Sequence, residues 1–287
     1  MRLHLIDGTF ELFRAHFSKR PDRELKATVG VALSLLGLLS DSAEGVTHVA
    51  VAFDNPIRSF RNDLFAGYKS DEGMDPVLRG QFDLAEEAVR ALGVTVWSMN
   101  EFEADDAMAT AAARWKDQVE QVRILTPDKD LGQMLDGDRV VQLDVIRRKL
   151  IDETTLWERR GVLPKSVPDL LALIGDDADG IPGLPGFGER TAGALLQQFV
   201  SIEQIPLDAA QWPTGIRGAE KLCATLKAGM ADALLYKKLA TLRTDVPLAE
   251  TLPDLLWQGV PRKALEAFIS RVDAPELRER VRRWDVR

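Results

Sequence analysis

Short hydrophobic runs alternate with helical patterns over about the first 160 residues of the chain. This alternation predicts an α/β domain with a doubly wound, mostly parallel sheet. The predicted strands are residues 3–6, 47–53, 94–97, 122–125, 140–143 and 149–151. The predicted helices are residues 25–39, 76–92, 104–115 and 131–135. Residues 57–75 are polar and weakly periodic, which indicates a surface excursion between a strand and a helix.

The strand signal fades beyond about residue 160. A helical stretch at 164–174 leads into residues 175–188, which are dense in Gly and Pro, and an amphipathic helix follows at 189–199. The remainder is typical of helices joined by polar connectors. The sequence therefore predicts two domains, an α/β domain at 1–162 and a smaller all-α domain at 163–287.

Composition is that of a globular protein, since 45% of the 287 residues are hydrophobic. A single cysteine, Cys223, excludes an internal disulfide and fits a reducing compartment. The N-terminus lacks the long apolar run of a signal peptide, and the longest apolar stretch, near residues 29–39, is too short to span a bilayer. We therefore expect a cytoplasmic protein with no membrane association.

The net charge of -8 argues at first against a nucleic-acid partner, because such proteins usually carry a basic surface. Many acids gathered in one metal site would be neutralised by the bound cations, and the remaining surface would then be nearly balanced. The bulk charge therefore does not exclude a nucleic-acid partner.

Acidic residues stand where several predicted strands end. Asp7 directly follows the first strand and Asp54 follows the second. In an open α/β sheet, ligands bind beyond these carboxyl ends. The other acids at comparable positions are Glu103, Asp105 and Asp106 at the start of a helix, Asp128 and Asp130 after the fourth strand, and Asp176 and Asp179 in the Gly-rich segment.

Each of these acids, taken singly, has a simpler interpretation as a turn former or a helix cap. Taken together, they are expected to converge on one rim, because the carboxyl ends of parallel strands lie side by side. Ionised carboxylates repel one another, and multivalent cations relieve that repulsion. All-oxygen ligand sets suit Mg²⁺ or Mn²⁺, and the motifs contain no His or Cys for zinc. Two such ions can promote phosphodiester hydrolysis, so the residues favour a metal-dependent phosphotransfer or nuclease site.

The motifs that carry these acids resemble those of the 5′-nuclease domain of bacterial DNA polymerase I and of the wider flap endonuclease superfamily. They occur in family order with family-like spacing from residue 3 to about 200. The matching stretches are Leu5-Ile6-Asp7-Gly8, Val51-Ala52-Phe53-Asp54, Ser59-Phe60-Arg61, Gly67-Tyr68-Lys69, Phe102-Glu103-Ala104-Asp105-Asp106, Arg123-Ile124-Leu125-Thr126-Pro127-Asp128-Lys129-Asp130, Gly175-Asp176-Asp177-Ala178-Asp179 and Ile181-Pro182-Gly183.

The resemblance implies a PIN-like catalytic domain with a helical arch and a site for two divalent ions. The implied ligands of one ion are Asp7, Asp54, Glu103 and Asp105, and those around the second are Asp106, Asp128, Asp130, Asp176 and Asp179, with Asp105 shared. Three basic residues fall at family positions near the scissile phosphate, namely Lys69, Arg61 and Arg14, although each could also be a solvated surface cation. Tyr68, beside Lys69, is implied in DNA binding.

The Gly-rich segment resembles the family's helix–three-turn–helix, at about residues 175–200. Independently of the family, glycines let backbone amides approach a phosphate, and a helix N-terminus presents unpaired N–H groups to it. An ordinary helix–helix turn is the alternative. The implied DNA-binding residues are Gly183, Gly186, Gly188, Arg190 and Thr191, and the family often holds a K⁺ ion here.

The resemblance implies a 5′→3′ exonuclease and structure-specific flap endonuclease that acts in replication or repair, as a monomer, on DNA with a 5′ end, flap or nick, or on an RNA primer. One departure is that Asp71 and Glu72 follow Lys69 where relatives have an arginine, so we expect a weaker grip on the displaced strand or a different preferred 5′ structure. A stand-alone nuclease and an excised domain both fit the sequence. A non-catalytic structure-specific DNA-binding protein and a PIN-like ribonuclease remain alternatives.

Overall fold

The computed structural model describes residues 1–286, which form two compact units. Neither unit is one continuous segment. The first contains Met1–Ser59, Asp71–Thr126 and the chain from Thr244 onward, and the second contains Phe60–Ser70 and Pro127–Arg243.

Four parallel strands form the centre of the first unit: β1 (Arg2–Asp7), β2 (His48–Asp54), β3 (Thr95–Met99) and β4 (Gln121–Leu125), in the order β3-β2-β1-β4. Their side chains are almost continuously buried in β1 and β2, as expected of a parallel sheet covered on both faces. Ile6 pairs with Val51 on one side and with Leu125 on the other, so the ends of β1, β2 and β4 lie level with one another.

The second unit contains an antiparallel strand pair, β5 (Val140–Asp144) and β6 (Lys149–Ile151), together with a helical core. That core is formed by buried side chains such as Val162, Leu171 and Leu195. In the described part of the chain the α-helices are α1 (Gly8–His16), α2 (Lys26–Leu39), α3 (Phe60–Leu64), α4 (Pro76–Arg79), α5 (Phe82–Ala91), α6 (Ala104–Trp115), α7 (Glu153–Arg160), α8 (Val167–Ile174), α9 (Glu189–Phe199), α10 (Ala219–Ala228), α11 (Met230–Ala240), α12 (Arg262–Val272) and α13 (Glu276–Arg280).

The predicted α/β class with a mostly parallel sheet is confirmed, and every predicted strand is present with ends shifted by two residues at most. Three predictions were wrong in detail. The predicted helix at 76–92 is two helices, α4 and α5, and the stretch near 131–135 is a 3-10 helix, Asp130–Met134. The polar stretch at 57–75 is no simple surface excursion, because it contains α3 and the buried side chains of Arg61 and Tyr68. Among residues 1–286, no helix is both long and apolar enough to cross a membrane.

Candidate metal centre

Asp7 is fixed at the end of β1 by hydrogen bonds to both of its carboxylate oxygens. Oδ1 accepts from the backbone N–H of Phe10 at 2.8 Å, which caps α1, and Oδ2 accepts from the hydroxyl of Thr126 at 3.0 Å. Thr126 directly follows β4, the neighbour of β1 in the sheet. The parallel register therefore delivers Asp7 to the rim that the sequence predicts, and Thr126 sets its orientation.

Asp54 and Glu103 are joined through the start of α6. Asp54 Oδ1 accepts from the backbone N–H of Ala104 at 2.8 Å, and Glu103 Oε1 accepts from the Ser59 hydroxyl at 2.6 Å. Glu103 is the residue that precedes α6, where the helix dipole favours negative charge. The end of β2 and the start of α6 thus place two of the predicted ligands side by side.

The two aspartates in the first turn of α6 differ in their surroundings. Asp106 is fully buried, and its Oδ2 accepts from the backbone N–H of Glu103 at 3.0 Å in a capping box. Asp105 is half-buried and lies next to it on the helix. The capping interpretation of Asp106 therefore holds in the structure, and its part in metal binding stays a prediction.

The second unit gathers three buried carboxylates from distant parts of the chain. One oxygen each from Asp130, Asp176 and Asp179 lies within 4.8 Å of the others. Asp128 contributes to the same region, since its Oδ1 accepts from the backbone N–H of Asp130 at 2.9 Å. An antiparallel bridge between Asp176 and Ile181 closes the loop that carries the other two aspartates. Four predicted ligands from two segments are thus brought together.

The donor set of this cluster fits a hard divalent cation. Burial and the neighbouring carboxylates of Asp128, Asp179 and Asp176 raise the pKa of Asp130 well above its usual range. Among residues 1–286, Asp130 Oδ1 is also buried without a hydrogen-bond partner. A buried carboxylate oxygen that lacks a donor is rare and costly, and a cation would satisfy it. All the donors are oxygens, as Mg²⁺ and Mn²⁺ prefer.

Lys69 and Tyr68 lie against the same cluster. Lys69 Nζ is 3.0 Å from Asp179 Oδ1, and the Tyr68 hydroxyl donates to Asp179 Oδ2 at 3.4 Å. The backbone of Lys69 also donates to the Asp179 carbonyl at 3.0 Å. A Cβ on Gly180 would lie 2.2 Å from the Gly67 carbonyl oxygen, so only glycine permits this close approach. Segment 60–70 is therefore anchored on the loop that carries Asp176 and Asp179.

Arg61 and Arg14 lie in settings that do not favour the predicted phosphate contacts. Arg61 is 1% exposed, and its guanidinium donates to the carbonyls of Leu239 at 2.7 Å and Thr241 at 3.1 Å. Arg14 forms an ion pair with Glu11 and donates to the Ser34 hydroxyl at 3.1 Å. Both side chains hold neighbouring parts of the fold together in this conformation, and a contact with phosphate stays a prediction.

The predicted Gly-rich turn joins two packed helices, α8 and α9. Gly183 has a φ of 69°, and a Cβ there would lie 2.3 Å from the backbone nitrogen of Gly175, so the turn requires glycine. α9 begins directly after Gly188 and carries Arg190 and Thr191 in its first turn. Its N-terminal N–H groups are of the kind that binds phosphate.

Sequence reasoning missed the polar partners that orient these acids. Thr126 and Ser59 hold Asp7 and Glu103, and Lys129 Nζ lies 2.8 Å from Asp176 Oδ2. The side-chain amide of Gln142 donates to the Asp128 carbonyl. Thr126, Ser59 and Lys129 lie within the family-like motifs, so their place in those motifs could have identified them as partners of the acids. Gln142 lies on β5 outside these motifs, and nothing in the sequence marks it as a partner of Asp128.

The two units together combine a parallel α/β sheet that ends in fixed carboxylates, a buried carboxylate cluster and a Gly-rich turn between helices. A family model for the 5′-3′ exonuclease N-terminal resolvase-like domain matches residues 2–161, and one for the 5′-3′ exonuclease C-terminal SAM fold matches residues 162–263. The chain therefore belongs to the 5′-3′ exonuclease family, as the motifs predict.

Sequence relatives agree with this membership, and solved structures share the fold. The chain is 34% identical to a 5′-3′ exonuclease of Bacillus subtilis over 89% of this chain and 88% of the relative. It is 33% identical to DNA polymerase I of Bacillus caldotenax over 97% of this chain, and it spans 33% of that relative's length. The fold is similar to that of the T5 D15 protein co-crystallised with metal ions (TM-score 0.68, 20% identity, 96% of this chain and 99% of the other). It is also similar to that of the catalytic core of Rad2 in complex with DNA substrate (TM-score 0.63, 13% identity, 97% and 90%).

Proposed function

We propose that this protein is a divalent-metal-dependent 5′→3′ exonuclease and structure-specific 5′-flap endonuclease that hydrolyses DNA phosphodiesters in replication or repair. The observation that carries the proposal is the cluster of Asp130, Asp176 and Asp179, with its unpartnered carboxylate oxygen, in a chain of the 5′-3′ exonuclease family. The Bacillus subtilis relative is itself named a 5′-3′ exonuclease, which supports the reaction class.

Each unit supplies the ligands of one Mg²⁺ or Mn²⁺ ion. In the first unit these are Asp7, Asp54, Glu103 and Asp105, and Asp106 supports them through the capping box. In the second unit they are Asp128, Asp130, Asp176 and Asp179. Bound ions of this kind activate water and stabilise the leaving oxygen of a phosphodiester. The metal-bound crystal form of the T5 D15 protein, which has the same fold, supports this assignment.

The protein's own side chains position the DNA. Lys69 carries a positive charge beside the second-unit cluster, where it can contact a phosphate oxygen while Tyr68 and Asp179 fix the segment that bears it. Arg61 holds this segment on the Leu239 carbonyl and Arg14 pairs with Glu11 within α1, so any contact that either makes with phosphate requires a change of partner.

The Gly-rich turn binds duplex DNA through its backbone. Gly183, Gly186 and Gly188 precede α9, whose N-terminal N–H groups bind phosphate, and Arg190 and Thr191 add side-chain donors. Such contacts carry affinity without sequence preference. We extend the proposal to a K⁺ ion held by backbone carbonyls of the same turn. We also propose a functional division of the chain at 1–162 and 163–287, which is supported by the family-model matches to residues 2–161 and 162–263.

Asp71 and Glu72 influence which 5′ structure the protein prefers as a substrate. They add two negative charges after Lys69, where relatives place an arginine, and Asp71 pairs with Arg79 at 3.4 Å. The displaced 5′ strand is therefore bound weakly, and short flaps or nicks are preferred over long flaps. Action on an RNA primer, a cytoplasmic location and a monomeric state complete the proposal.

Product mapping on matched DNA substrates tests this function. Purified protein is incubated with Mg²⁺ and a 5′-labelled flap, nick or gap, beside the same reactions in EDTA. We expect cleavage near the flap junction and release of short 5′ products, both lost in EDTA and in the Asp128→Asn variant. Asp177→Asn, a change at an exposed residue of the Gly-rich segment, is the control and should cleave normally. Tight binding of the flap without cleavage would instead favour a non-catalytic DNA-binding protein.

A further inference from the structure

Lys129 lies between two of the proposed ligands in sequence, yet its side chain pairs with a third. Its Nζ is 2.8 Å from Asp176 Oδ2, and the Lys129 side chain is 32% exposed whereas that of Asp176 is 4% exposed. The other carboxylate oxygen of Asp176, Oδ1, accepts from the backbone N–H of Ala178 at 3.1 Å. Both oxygens of this buried aspartate are therefore engaged by the protein itself.

The charges of the second-unit cluster explain why a lysine is tolerated there. Four carboxylates lie close together, and two ammonium groups pair with them, Lys69 with Asp179 and Lys129 with Asp176. With every group ionised, two negative charges remain, which one divalent cation neutralises. Asp130 Oδ1 is buried and has no hydrogen-bond donor among the described residues.

We propose that Lys129 is a tethered cation that competes with the divalent ion for Asp176, and so sets the affinity of the second-unit site. Asp176 exchanges its Oδ2 contact between the ammonium group and the ion. The lysine lowers the affinity for the ion by like-charge repulsion and by occupying a ligand oxygen. It also limits the repulsion among the carboxylates whenever the ion has dissociated. This inference rests on the proposed metal site and adds a residue that regulates its occupancy.

Manganese binding by the DNA-free protein tests the competition directly. Free Mn²⁺ is measured by electron paramagnetic resonance during a titration of the full chain, and the site lost in Asp130→Asn identifies the second-unit ion. We expect Lys129→Met to lower the Kd of that site by roughly tenfold, because a positive charge and a competitor are both removed. Lys129→Arg should bind Mn²⁺ within about twofold of the wild type. Lys165→Met removes an exposed lysine of the same unit and is the matched control.

Two outcomes distinguish a failure of the lysine competition from a failure of the proposed metal site. If Lys129→Met binds Mn²⁺ no more tightly than Lys165→Met, or more weakly, Lys129 does not compete with the ion and the inference is overturned. If the wild type and Asp130→Asn bind Mn²⁺ alike, the metal site itself is wrong. Thermal melts give a second readout, since Lys129→Met should melt lower than the wild type in EDTA and gain more from Mn²⁺. Equal gains in the two proteins would also contradict the competition.

Discussion

Replacing Asp130 by asparagine should stabilise the metal-free protein while removing its activity. Asp130 is buried, and oxygens of Asp176 and Asp179 lie within 4.8 Å of one of its own. Two unit charges at this separation repel by about 3.5 kcal/mol at an effective permittivity of about 20, and by about 1 kcal/mol in water. Asparagine has nearly the same shape and carries no charge, so the repulsion is lost with little change in packing.

The net gain in the free energy of unfolding of Asp130→Asn is smaller than the sum of these pair energies. Lys69 and Lys129 already offset part of the repulsion, and burial together with the neighbouring carboxylates raises the pKa of Asp130, which favours its neutral form. We therefore expect the free energy of unfolding in EDTA to rise by about 1–3 kcal/mol. For a chain of this size each kcal/mol shifts the melting temperature by about 2–4 °C.

Thermal and urea unfolding in EDTA measure this gain. Asp177→Asn removes a carboxylate from the exposed face of the Gly-rich segment and should leave the unfolding free energy unchanged. In the presence of Mn²⁺ the order should reverse, because the wild type gains stability from the ion and Asp130→Asn does not. The reasoning is refuted if Asp130→Asn unfolds at the same or a lower urea concentration than Asp177→Asn in EDTA.

Three further substitutions test other parts of the account. Lys69→Ala should lower the single-turnover cleavage rate more than DNA affinity, and an unchanged rate would remove Lys69 from the mechanism. Arg61→Met should lower the free energy of unfolding by about 2–4 kcal/mol, because two carbonyls lose a buried charged donor; a melt within error of the wild type would contradict this. His4 is fully buried, and burial lowers its pKa to about 4 from 6.5, so the protonated form favours unfolding. The associated stability is complete above pH 6.5 and is lost as the pH falls towards 4, by about 3 kcal/mol in all. His4→Gln should flatten this part of the pH profile in urea unfolding, whereas a profile parallel to the wild type would show that His4 is not responsible.

The positions of Asp7 and Asp54 could be predicted because they depend only on strand order and register. Any residue that ends a strand of a parallel sheet lies on the same edge, and both strands were evident from their apolar runs. The side-chain partners could not be predicted in the same way. The contacts from Thr126 to Asp7 and from Ser59 to Glu103 depend on rotamers and on backbone paths that periodicity does not reveal.

Arg61 shows where polarity and motif position mislead. Its segment looks exposed because it is rich in charged residues, yet the guanidinium is buried on backbone carbonyls of residues 239 and 241. Hydrophobic patterning cannot anticipate such a contact, since a buried arginine is allowed wherever its donors are satisfied. Asp106 is a similar case, because one residue type serves equally well as a helix cap and as a metal ligand.

The most direct test of the metal-dependent nuclease is anomalous diffraction from crystals soaked in Mn²⁺. The account predicts an anomalous peak bonded to carboxylate oxygens of Asp130, Asp176 and Asp179 at about 2.0–2.3 Å, which disappears in Asp130→Asn. If millimolar Mn²⁺ leaves no peak at these three carboxylates, the protein does not use them to hold a catalytic ion.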